Sequence, residues 1–120
     1  MPRTTIAPID IPGAYADADV VAGWTASDVG NKNQYPWTGR EVLELRNAGV
    51  TTRACVLTSA LDSQNRTNDV AISLLSGQHR VCPFIGPRSA EGWVQADGYV
   101  YFEGPHIEAE WRVLRLPAAF

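Results

Sequence analysis

Between residues 41 and 116, apolar and polar side chains alternate in short runs, and a turn signal separates each run from the next. A period of two puts neighbouring side chains on opposite faces of an extended chain. Each run therefore offers one apolar face that a second layer must cover. In residues 41–46, Leu43 and Leu45 fall on one face, Glu44 and Arg46 on the other. Asn47, Ala48 and Gly49 supply turn chemistry, because Asn and Gly tolerate positive φ. Residues 51–58 are β-branched and apolar, so these two runs read as a hairpin. Residues 69–75 group Val70, Ile72 and Leu74 opposite Ala71 and Ser73. After a turn at Ser76, Gly77 and Gln78, residues 79–85 form a further run whose Pro83 belongs at an edge or a bulge. Asp97 and Gly98 turn the chain into residues 99–102, and Gly104 and Pro105 turn it again. In the last run, residues 108–116, Ala109, Trp111 and Val113 face one way and Glu108, Glu110 and Arg112 the other.

Short strands spaced by about ten residues, with no long amphipathic helix to compete, specify an all-β fold. The expected architecture is a small antiparallel β-sandwich, jelly-roll or immunoglobulin-like, over residues 41–120. One local signal opposes this. Thr38, Gly39, Arg40 and Glu41 match a helix capping box, but only about two turns of helix fit before Gly49.

Residues 1–40 have a different character. They are rich in Pro, Gly, Ala, Asp and Asn, with apolar residues scattered singly. Pro2, Pro8, Pro12 and Pro36 each remove a backbone donor and restrict the residue before them. Ile6, Ile9 and Ile11 lack helical spacing, which fits an extended arm lying along a surface, its own or a neighbour's.

The chemistry-bearing residues do not assemble into a reaction site by spacing. His79 and His106 are the two histidines, neither with a metal-binding partner at helical spacing. No G-x-S-x-G elbow, phosphate loop or dinucleotide fingerprint occurs. Cys55 and Cys82 lie far apart and read as buried, reduced thiols rather than metal ligands or a bridge. The pairs Asp17/Asp19 and Glu108/Glu110 read as solvated carboxylates, the second with Arg112 as counter-charge. Asn65, Arg66 and Thr67 form a glycosylation sequon with no secretory signal at the N-terminus. The expectation is a non-enzyme that needs no cofactor and no metal. A net charge of −3 argues against a nucleic-acid coat, and no apolar run is long enough to span a bilayer. Nine of the ten cationic residues are Arg, which suits paired contacts to carboxylates and aromatic faces. Four tryptophans, Trp24, Trp37, Trp93 and Trp111, are many for a chain of 120 residues. Trp111 alternates with Val113 and reads as core, whereas Trp24 and Trp37 lie in the loop-rich part.

In the order of its features, the chain over residues 34–116 resembles small phage capsid decoration, or cement, proteins. The features are the polar stretch 31–39, the runs 41–47 and 51–58, and the loop Asn65-Arg66-Thr67-Asn68-Asp69. Val70 to Leu74 follows, with Ser76-Gly77-Gln78-His79-Arg80, then Pro83-Phe84-Ile85-Gly86-Pro87. Asp97-Gly98-Tyr99-Val100-Tyr101 and Trp111-Arg112-Val113-Leu114-Arg115-Leu116 close the pattern, and Pro2-Arg3-Thr4-Thr5 matches its start. The segment Glu91-Gly92-Trp93 departs from it. The resemblance implies a virion protein on the capsid exterior, assembled in the host cytoplasm, that binds the major capsid protein and reinforces joints between capsomers. It also implies self-association, as a trimer or as isolated copies on the shell. On that reading residues 2–12 form an interaction arm, with Pro2, Arg3, Ile6, Ile9 and Ile11 meeting the partner. Trp24, Tyr35 and Trp37 are then its aromatic anchors. The rival readings are a head–tail connector or tail accessory protein, and a carbohydrate-binding module with exposed tryptophans in a row beside carboxylates.

Overall fold

Alternation is met in three dimensions by two stacked sheets. The computed structural model describes residues 2–11, 24–61, 68–82, 85 and 90–117. The Asp17/Asp19 pair, the sequon and the part of the arm beyond Ile11 lie outside them. Among the described residues ten strands follow in chain order: β1 Thr4–Thr5, β2 Ile9–Asp10, β3 Thr25–Ala26, β4 Asn33–Pro36, β5 Glu41–Asn47, β6 Arg53–Thr58, β7 Val70–Leu74, β8 His79–Val81, β9 Tyr99–Glu103 and β10 Ala109–Arg115. One sheet has the order β1-β4-β9-β6-β7. The other has the order β2-β10-β5-β8, with β3 pairing beside β2 on the same edge of β10. The fold is an all-β sandwich. It departs from a purely antiparallel one because β1 joins β4, and β2 joins β10, in parallel.

Two expectations are corrected. The runs 41–46 and 51–58 are both strands, but they are not a hairpin. β5 lies between β10 and β8 in one sheet, while β6 pairs with β7 and β9 in the other. The connection between them crosses the sandwich, and Asn47 holds the corner. Its Nδ2 donates to the carbonyls of Thr51 (2.7 Å) and Leu74 (3.0 Å), and its Oδ1 accepts from the Gly49 amide (2.9 Å). The second correction concerns residues 25–36, expected among arm and loops. They supply β3 and β4, and β4 is an interior strand, so residue 40 does not mark where the sandwich begins.

The core forms where the inner faces meet. Leu43, Leu45, Trp111, Val113, Tyr35, Val100, Phe102, Leu57, Ile72 and Leu74 are buried there, as alternation requires. Phe102 of β9 and Trp111 of β10 tilt against each other across the sheets at 4.5 Å, and Tyr35 stands 6.0 Å from Phe102. Such aromatic pairs add about 0.5–1.5 kcal/mol beyond the area they bury. The Trp111 indole is satisfied inside: Nε1 donates to the Ser27 hydroxyl (2.6 Å), which donates to the Ala109 carbonyl (2.7 Å). Gly104 must be glycine here, because a Cβ would press on the Ser27 hydroxyl and the Trp111 ring. Cys55 and Cys82 are free thiols in this core, and burial pushes them up to about 11 and about 12.

The capping-box residues form a related arrangement without a helix. The Glu41 carboxylate reaches back to the Thr38 amide (2.6 Å) and hydroxyl (2.7 Å), as in a box, and then takes Arg115 Nε at 2.6 Å. The backbone continues as β5, since Leu43 and Leu45 gain burial only in the strand.

Candidate functional site

The N-terminal residues are built into this molecule's own sheets. The Thr4 amide donates to Lys32 (3.0 Å) and the Ile6 amide to Gln34 (2.9 Å), on the edge of β4. The chain then passes to the other sheet, where the Ile11 amide donates to Arg115 (2.8 Å). Midway in this crossing Ile6 is buried in the core. Arg3 Nη1 donates to the carbonyls of Asn33 (3.1 Å) and Phe102 (3.2 Å), and the guanidinium lies 4.2 Å above the Tyr101 ring. The Thr4 hydroxyl donates to Asp28, and this bond with that from the Asn31 amide (3.0 Å) holds the Asp28 carboxyl below its ordinary value.

These positions redistribute the expected anchors. Ile6 and Tyr35 are enclosed by their own chain, which corrects their assignment as partner contacts. Ile9 and Ile11 are half-buried beside β10, and Pro2 is exposed. Trp37 packs against the core and donates its indole N–H to the Ile85 carbonyl at 2.6 Å. Trp24 lies on the outer face of β5 and β10. Its ring takes the guanidinium carbons of Arg46 at 4.5 Å and Arg112 at 4.6 Å, and meets the His79 ring edge-on at 5.0 Å. Beneath it Arg46 pairs with Glu110 (2.7 Å), and Arg112 pairs with Glu44 (2.7 Å), which His79 also approaches at 3.3 Å. Cross-strand register causes this, since Arg46 faces Glu110 and Arg112 faces Glu44 directly. Trp111 is core and Trp93 packs against it, so the tryptophans do not make the open row that a sugar-binding face needs.

A surface that single-strand patterns do not reveal lies at one end of the sandwich. The loops after β5, β7 and β9 meet there and are tied together, and the loop after β3 starts beside them at Ser27, whose amide donates to Ala109 (2.9 Å). The Ala48 amide donates to Glu108 (2.9 Å), the Gly77 amide to Asn47 (3.2 Å), and the Ser76 hydroxyl to Gly49 (2.9 Å). Arg53 holds the Glu108 carboxylate at 2.6 Å directly against Gly49, where any Cβ would collide with it. From this tied base project Val50 (88% exposed), Ile107 (63%), Leu75 (53%) and Val29 (49%). Each stands in a loop within two residues of Gly, Ser or Pro, where sequence reading sees only loop. Their shared location emerges from the strand order.

Comparison with family models, with curated proteins and with solved structures finds no match to this chain.

Proposed function

We propose that this chain is a structural virion protein of the capsid decoration type, which binds the outside of a phage shell and reinforces joints between capsomers. The observation that carries this reading is the stitching of both sheets by the N-terminal residues. A protein that bridges a seam is only as strong as its own cohesion. Here β1 bonds one sheet, β2 bonds the other, and Ile6 plugs the gap between them. Pulling the sheets apart must first extract a buried isoleucine and strip either the β1–β4 or the β2–β10 pairing. The ionic cover on the outer face of β5 and β10 further ties those strands side to side. Each copy needs to bury only about 1,200–2,000 Å² against its partner, because repetition over many joints multiplies the effect. The resemblance in feature order supports the same reading.

Quantitative mass spectrometry of purified particles tests it. The expected result is a copy number that scales with the number of capsomers. A copy number matching one vertex ring would assign the chain to a connector or tail part instead, and its absence from particles would overturn the reading.

A further inference from the structure

We propose that the free edge of β7 receives an extended, acidic segment of a protein partner as an added strand, with Arg80 reading its carboxylate. The proposal does not rest on the virion reading, and either can fail alone. Strand pairing shows which backbone groups are open. The Trp37 amide donates to the Gly98 carbonyl (3.1 Å), so residues 98, 100 and 102 turn their backbone groups to β4. Residues 101 and 103 turn theirs to Thr58 and Val56 of β6. That leaves Arg53, Cys55 and Leu57 to bond Leu74, Ile72 and Val70 of β7. Ala71 and Ser73 therefore point their N–H and C=O groups away from the sheet, of which β7 is the last strand. Both side chains are small and exposed, and no Pro, Lys or Gly interrupts the strand. Such a row of outward N–H and C=O groups matches the backbone of a second extended chain. On the opposite side of the sandwich that place is filled by the chain itself, with β1 on β4 and β2 and β3 on β10.

Arg80 selects the charge of that segment. The Cys82 amide donates to the Leu43 carbonyl (2.9 Å) and the Asn47 amide to the Gln78 carbonyl (3.0 Å). The backbone of Arg80 thus bonds β5 opposite Leu45, and its side chain starts on the inner face. Because β8 also ends its sheet, the side chain runs out to the open side, exposed, where Nη1 donates to the Ser73 carbonyl at 3.4 Å. The other charged groups beside β7 are engaged. Arg53 holds Glu108 at 2.6 Å, and His79 lies 3.3 Å from Glu44. Asp69 precedes β7 and accepts the Ser59 amide (2.8 Å) at the end away from Arg80. Arg80 has no carboxylate partner among the described residues. Its bond to a neutral carbonyl is long, and it blunts the edge by occupying one outward acceptor. A carboxylate takes a guanidinium in shorter, charge-assisted bonds. An acidic residue on the incoming strand draws Arg80 off Ser73 and frees that carbonyl for the new ladder. A basic strand leaves the carbonyl occupied and meets a like charge.

The test titrates the full, isotope-labelled chain with blocked peptides of about six residues, alternating threonine and valine around one central glutamate or one central lysine. Amide shifts locate the bound peptide and give its affinity. The same titrations use Arg80→Gln and Ala71→Pro, the second removing an outward N–H at an edge where proline is tolerated. Urea midpoints confirm that each variant folds. The expected result is shifts centred on Ala71 and Ser73, with the glutamate peptide bound at least about tenfold more tightly than the lysine peptide. Arg80→Gln should erase that preference, and Ala71→Pro should weaken the glutamate peptide by at least about tenfold. A preference that survives Arg80→Gln would overturn the part given to Arg80. Shifts away from β7, or none with either peptide, would overturn the edge as a docking strand. A dimer seen by light scattering and dissolved by Ala71→Pro would give the edge to a second copy of this chain and overturn the acidic partner.

Discussion

Glu41 has its side chain sealed from solvent and takes three hydrogen bonds instead, two from Thr38 and one from Arg115. Burial pushes its carboxyl up, but those donors and the Arg115 charge outweigh burial and hold it below the ordinary 4.5. A carboxyl lowered on folding stabilises the fold fully above that ordinary value. The stabilisation is lost as pH falls through the lower, folded value. Glu41→Gln is therefore expected to unfold at lower urea than the wild type at neutral pH, yet to lose less stability on acidification. Urea midpoints taken down to about pH 2 check this, and parallel acid profiles would contradict it. Thr58 presents the opposite case. Its hydroxyl is buried with no partner among the described residues. Thr58→Val keeps the shape and removes the unsatisfied group, so it should stabilise by about 1 kcal/mol in thermal or chemical unfolding. A loss of that size would mean that the hydroxyl has a role in the fold.

At the scale of the element, the arm shows what alternation conveys and what it leaves out. The long strands were legible because Leu43 with Leu45, Val70 with Ile72 and Leu74, and Ala109 with Trp111 and Val113 each mark one buried face. Alternation names a face and is silent about neighbours, so β5 and β6 read as a hairpin although Asn47 carries the chain across the sandwich. β1 to β4 run only two to four residues, too short to show any period, and prolines surround them. Ile6 and Tyr35 therefore looked like anchors for a partner when they serve the core. Ile6→Ala is expected to cost about 2–5 kcal/mol in the midpoint of denaturant unfolding. A change well under 1 kcal/mol would show that Ile6 is not enclosed by its own chain.

For the whole molecule, the excess of arginine proved informative. Arg46, Arg53, Arg112 and Arg115 each meet a carboxylate, and Arg3, Arg46 and Arg112 lie over aromatic rings, the two uses for which its planar fork is suited. The loop end was not legible, because its four aliphatic residues come from separate turns that only the strand order brings together. The N-terminal residues pair with both sheets and bury Ile6 between them, while the ionic face ties β5 to β10 within one sheet. Hydrogen–deuterium exchange of the free chain tests that stitching most directly. The predicted result is slow exchange at the Thr4, Ile6 and Ile11 amides, which are bonded to Lys32, Gln34 and Arg115, and fast exchange at exposed Val50. Exchange at Thr4, Ile6 and Ile11 as fast as at Val50 would contradict it.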